Sequence, residues 1–115
     1  MFFPESTIRI LLCVQPTDMR KSFDGLIALV KNHMGEDPLG GCLFAFINRK
    51  RTYMKVLWFE RGGFCIWSKR LEQGRFSKIS DTGVSHALNT VDFKLLLEGL
   101  DRRDYLSRKR YKRVA

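Results

Sequence analysis

At 115 residues with a formal charge of +9, the chain is one domain's worth of polypeptide carrying a marked excess of cations. Apolar residues at 44% and charged residues at 29% match an ordinary globular protein, which excludes wholesale disorder. The longest apolar run, Cys42 to Ile47, is far too short for a membrane-spanning helix. The start, Met1-Phe2-Phe3-Pro4-Glu5, lacks the basic and apolar regions of a secretory signal. Three Cys without close pairing point to reduced thiols in a cytoplasmic setting.

Residues 7–14, Thr-Ile-Arg-Ile-Leu-Leu-Cys-Val, are β-branched and apolar and predict a strand, which Gln15-Pro16-Thr17 ends. Thr17 or Asp18 can then cap a helix. Met19, Phe23, Leu26, Ile27, Val30 and Met34 follow as one apolar stripe at helical period, with Gly35 as the stop. Gly25 inside that helix implies a close approach by a neighbour.

After a loop at 35–41, three strands are predicted as a meander, at about 42–48, 52–60 and 63–70. The turns fall at Asn48-Arg49-Lys50-Arg51 and at Arg61-Gly62-Gly63. Two- and four-residue loops give the same face assignment. One face carries Leu43, Ala45, Ile47, Met54, Val56, Trp58, Cys65, Trp67 and Lys69; being almost wholly apolar, it is expected to pack on the first helix. The other carries Phe44, Phe46, Asn48, Tyr53, Lys55, Leu57, Phe59, Phe64, Ile66, Ser68 and Arg70. With cations towards one end, that face is either half covered or a binding surface.

A turn-rich stretch, Gln73 to Gly83, leads to a weak strand near Ser85–Leu88. Asn89 is a good cap for a second helix over about 90–100, bearing Phe93, Leu96, Leu97 and Leu100. The predicted fold class is α+β: a small antiparallel β-meander sheet with a packed N-terminal helix, a second C-terminal helix and a basic tail. Residues 1–101 form the domain and 102–115 the tail. The last 14 residues hold seven Lys or Arg and one acid, so two-thirds of the excess charge sits there.

Four blocks carry a resemblance. Pro16-Thr17-Asp18-Met19-Arg20-Lys21-Ser22-Phe23-Asp24-Gly25-Leu26 is similar to the signature P-x-D-M-R-K-x-F-D-G-L of the Orf2-type (TnpB) proteins of insertion-sequence-sixty-six elements. Lys55-Val56-Leu57-Trp58 resembles K-x-L-W, and Lys69-Arg70-Leu71-Glu72-Gln73-Gly74-Arg75-Phe76 resembles K-R-L-E-x-G-x-F. Leu96-Leu97-Glu98-Gly99-Leu100-Asp101 resembles L-L-E-G-[IL]-D, so the likeness runs from about residue 6 to 103. It implies an accessory protein of bacterial DNA transposition, encoded beside a separate, larger transposase that holds the catalytic acids. It supplies no catalytic residues to carry over.

The residues themselves argue against an enzyme. Metal-dependent strand cleavage needs carboxylates converging on shared ions. Asp18 and Asp24, six apart on a predicted helix, face different ways. Asp18 reads as a cap, and Asp24 as a local ion-pair partner of Lys21 and Arg20. Cys13, Cys42, Cys65, His33 and His86 lack zinc-ligand spacing, and no phosphate-binding glycine loop or nucleophilic triad is present. No catalytic residue, metal site or cofactor is expected.

Contact with DNA phosphates is the chemistry left. Arg49, Lys50 and Arg51 crowd a hairpin tip, where like charges repel unless solvated or neutralised. Arg20 and Lys21 fall in the first helical turn, the wrong end for cations, which suggests a use for them there. Lys69, Arg70, Arg75 and Lys78 form a third group, and Lys55 lies between aromatics that can stack on bases. In the tail the candidates are Arg102, Arg103, Arg108, Lys109, Arg110, Lys112 and Arg113. The expected partners are DNA, as element ends or nonspecific duplex, and the separate transposase, with no membrane. The alternative is an adaptor that binds the transposase without touching DNA.

Overall fold

The computed structural model describes residues 8–79 and 82–99, and expectations that fall on 1–7, 80–81 and 100–115, the basic tail among them, lie outside the described residues. The β-branched and aromatic runs form five strands: β1 (Ile10–Cys13), β2 (Leu43–Ile47), β3 (Tyr53–Glu60), β4 (Gly63–Arg70) and β5 (Ser85–Leu88). They join into one sheet in the order β4-β3-β2-β1-β5. With two helices, this is a small α+β fold.

The meander β2-β3-β4 is antiparallel, as its sequence implies. Its second turn is the two-residue pair Arg61-Gly62, with Glu60 opposite Gly63 and φ of 51° and 80°. Both values lie in the left-handed region that a tight hairpin of matching twist requires. The sheet as a whole is mixed, because β1 runs parallel to β2, with Ile10 opposite Leu43 and Leu12 opposite Ala45. Parallel neighbours need a crossover. Here α1 (Phe23–Ala28) supplies it, running on into a π-helical turn at Leu29–His33. In that turn the Met34 amide donates to the Leu29 carbonyl at 2.9 Å. The wider turn keeps Leu26, Val30 and Met34, each four residues apart, buried in one layer.

Both sheet faces are covered, so β1 and β2 are buried at every position. The face grouping follows the sequence, but the helix assignment does not. Leu43, Ala45, Ile47, Met54 and Val56 pack with Phe76 and with Phe93, Leu96 and Leu97 of α2 (Thr90–Leu97), not with α1. The α1 layer instead covers Leu11, Cys13, Phe44, Phe46 and Leu57, with Phe64 and Ile66 at its margin. The physical reason is the crossover. Alternation tells which side chains share a face, whereas the hand of the β1-α1-β2 unit decides which face the helix lies on.

The start of the first helix also differs from expectation. The helix begins at Phe23, so Arg20 and Lys21 precede it, and Ser22 occupies the cap position without a side-chain cap bond. Asp24, not a cation, lies in the first turn, where the helix dipole favours it. Asp18 is no helix cap; it accepts from the Arg20 amide at 2.9 Å and closes a separate turn. The partner of Arg20 is therefore Asp18 and not Asp24. Gly25 does have its close neighbour: a Cβ there would stand 3.1 Å from the Lys21 side-chain stem. Asn89 caps α2 as expected, accepting from the Asp92 amide at 2.8 Å.

Candidate nucleic-acid interface

Strand pairing brings the basic groups of the domain to one end of the sheet. Cys13 ends β1 opposite the start of β5, and Ile47 ends β2 beside Met54. At the same end Tyr53 opens β3 opposite Arg70, which ends β4. Three connecting segments therefore meet here: the turn at 17–22, the hairpin tip at 49–52 and the segment at 71–79. They carry Arg20 and Lys21; Arg49, Lys50 and Arg51; and Arg75 and Lys78.

Asn48 builds the hairpin tip. Its side-chain oxygen accepts from the Thr52 and Tyr53 amides at 2.9 and 3.1 Å, and its carbonyl accepts from the Arg51 amide at 3.0 Å. The chain is thereby pinned around three exposed or half-exposed cations, with Arg51 at φ 58°. A non-glycine residue in that region costs roughly 1–2 kcal/mol, held here by the surrounding bonds. Arg51 then ties the tip to the neighbouring segment. The Phe76 amide donates to the Arg51 carbonyl at 2.7 Å, and the Leu71 amide donates to the Thr52 carbonyl at 2.7 Å. Phe76 itself is wholly buried in the α2 core, which anchors the 71–79 strap against the sheet.

The cations differ in what already holds them. Arg20 makes a forked pair with Asp18, Nη2 to Oδ2 at 2.6 Å and Nε to Oδ1 and Oδ2 at 3.1 and 3.0 Å. The Arg20 side chain beside it, and then the Arg20 amide, hold the Asp18 carboxyl down at about 2. Lys55 donates to the Lys21 carbonyl at 2.8 Å, and its Nζ also stands 6.0 Å from the Tyr53 ring centre. Lys69 lies on the opposite face and donates to the Leu97 carbonyl at 2.7 Å, a bond to the C-terminal end of α2 where a cation is favoured. Arg70 pairs with Glu72 at 3.3 Å in the open. Arg49, Lys50, Arg75 and Lys78 are exposed. The tail cations, Arg102 through Arg113, are outside the described residues.

Between tip, strap and strand ends lies a cleft of about 360 Å³. Leu12, Val14, Ile47 and Ile79 contribute apolar walls, while Arg49, Arg51 and Lys78 contribute charge. Cys13 also lines it, and burial pushes that thiol up, as it does Cys42. Residues 12 and 79 are far apart in sequence, so the cleft has no local signature. The sequence reasoning also missed Asn48 as the tip's organiser and Asp18 as the partner of Arg20. An Asn opening a turn is a signal that could have found the first. Among the described residues, no three His, Cys, Asp or Glu side chains come together as a metal site, and no helix is long and apolar enough to cross a membrane.

Fold and site together define a small mixed-sheet α+β protein with cations concentrated at the carboxyl ends of its parallel strands. The chain belongs to the IS66 Orf2-like family: the model of that family, described as IS66 Orf2 like protein, matches residues 8–106. Membership suggests an accessory role in the transposition of an insertion sequence. Two relatives come from Sinorhizobium fredii (strain NBRC 101917 / NGR234), both named as uncharacterized proteins. The chain is 35% identical to y4hO over 94 residues, covering 82% of each chain. It is 32% identical to y4jC over 103 residues, covering 88% of this chain and 86% of the relative. No solved structure matches the chain significantly.

Proposed function

We propose that the protein is a non-catalytic accessory factor of insertion-sequence transposition that binds DNA phosphates and assists a separate transposase. The observation that supports it most is the gathering of Arg49, Arg51 and Lys78, from two separate segments, around one cleft. Like charges held together at a sheet end repel, and a polyanion there relieves that repulsion more fully than solvent alone. The sequence from 102 to 115 adds seven further cations that can meet phosphates.

The test is a series of electrophoretic shifts on element-end duplex and random duplex across salt concentration. With about five phosphates neutralised, log affinity falls against log salt at a slope near about −4.5. Removing residues 102–115 flattens that slope. Absence of binding at low salt, with capture of the purified transposase surviving nuclease and high salt, would replace DNA contact by a protein-adaptor role.

A further inference from the structure

We propose that the cleft at the carboxyl ends of β1 and β2 is a pocket for a single unpaired nucleotide of a DNA strand, so that the protein recognises a frayed or overhanging end. This rests on the DNA-binding function proposed above and names the form of DNA that the site takes.

Three observations carry it. The first is size. The cleft holds about 360 Å³, and pockets that enclose small ligands begin at roughly 300 Å³. That volume suits one base and its sugar and is too small for a duplex. The second is the lining. Leu12, Val14, Ile47 and Ile79 are apolar, whereas Arg49, Arg51 and Lys78 are cationic. A site for phosphate alone has no use for an apolar wall, and a site for an apolar ligand has no use for three cations. A nucleotide has both parts, a flat base that gains by leaving water and a phosphate that needs positive partners. The third is continuity. A neighbouring depression is lined by Thr17, Asp18, Met19 and Lys50, the Asp18 carboxylate being paired with Arg20, and it shares Pro16, Asn48 and Arg49 with the cleft. The two form a track along the strand ends, which suits a polymer entering by its end better than a free nucleotide. In open sheets with parallel strands, the crevice outside the carboxyl ends is also where ligands are commonly seated.

The site also explains a division among the cations. Arg51 spends one amino group on the Phe76 carbonyl at 3.5 Å. Arg51 is thereby half-exposed where it lines the cleft, while Arg49 and Lys78, which line it too, are exposed. Taking a nucleotide out of a duplex costs pairing and stacking energy, least where it is already unpaired. The preference is therefore for DNA that presents its loose nucleotide ready-made.

The experiment compares a blunt hairpin duplex with the same duplex carrying a three-nucleotide thymidine overhang, using the full chain at one salt concentration. The overhang is expected to bind about tenfold more tightly. Val14→Phe and Ser77→Phe, at two residues that line the cleft, add bulk there without removing a charge, and each should abolish the preference for the overhang. A second measurement does not depend on the variants folding: photocrosslinking from 4-thiothymidine in the overhang, mapped by mass spectrometry, should mark the peptides spanning 12–16 and 77–79. Equal affinity for blunt and overhanging DNA overturns the pocket while leaving DNA binding intact. So does a preference that survives both fillings, or crosslinks confined to other peptides. Failure of both DNAs to bind at low salt overturns the underlying DNA-binding function as well.

Discussion

Arg51 and Phe76 hold each other: the Phe76 amide donates to the Arg51 carbonyl at 2.7 Å, and the Arg51 guanidinium returns to the Phe76 carbonyl at 3.5 Å. One residue is a half-exposed cation at a hairpin tip and the other is a wholly buried aromatic. Through this pair the core of the α2 face fixes where the cations of the sheet end stand. It couples packing to whatever the sheet end binds.

The coupling separates two substitutions. Phe76→Ala opens a cavity in the core and should lower stability by about 3–5 kcal/mol in urea unfolding, loosening the strap and weakening DNA binding with it. Arg51→Gly acts the other way round. Glycine accepts φ 58° without strain but costs chain entropy, so stability should stay within about 1 kcal/mol of wild type. DNA affinity should nevertheless fall, with the salt slope shallower by up to about 0.9. Equal loss of stability in both variants would mean that the Arg51 side chain is chiefly structural.

Asp18 and Arg20 give a prediction in pH. The Asp18 carboxyl drops from an ordinary 3.8 to about 2 because the Arg20 side chain and amide favour its charged form. A depressed carboxyl contributes its order above the unfolded value and loses it as pH falls through the folded one. The turn at 17–21 should therefore be intact above about pH 3.8 and melt locally towards about 2. Carbon-detected NMR titration of the Asp18 carboxyl reads this directly, and Arg20→Ala should return the midpoint towards the ordinary value. At neutral pH, Asp18→Asn frees the Arg20 fork and removes a negative charge beside the cleft. Binding should tighten, with a slope steeper by up to about 0.9; unchanged binding would mean that Arg20 does not meet DNA.

Lys69 and the rim pair Arg49 and Lys78 should part company. Lys69→Ala removes the bond to the Leu97 carbonyl, and the loss at a helix C-terminus is about 0.3–1 kcal/mol. A thermal melt should register it, while the salt slope of DNA binding stays as it was. The double variant Arg49→Ala/Lys78→Ala removes exposed charge, so the melt should hold and the slope should flatten by about 1.8, for two phosphates lost. The reverse pattern would place the DNA contact on the α2 side of the molecule.

Most of the architecture is legible in the sequence. Alternation in 42–48, 52–60 and 63–70 gives the meander and its face grouping, because side-chain direction in a strand depends only on parity. Asn89 announces its helix because a cap works through bonds to residues two or three positions on. The errors come from longer range. The pattern over 19–34 spans a helix, but Asp18 found a better local partner in Arg20 than in a helix terminus, so the helix starts at Phe23. The placement of α1 was inverted because it follows from β1 lying beside β2 across nearly thirty residues. The cleft was invisible for the same reason: Leu12, Ile47 and Ile79 each look like ordinary core residues until the chain is folded.

The elements, the shared faces and the family are legible without a fold, since each depends on residues that are neighbours in the chain or on a pattern read along it. Which helix covers which face, and that Arg49 of the tip and Lys78 of the strap line one cleft, emerge only once the chain is folded. Those facts depend on strand order and crossover hand, which are set by the packing of the whole sheet and by no single stretch of it.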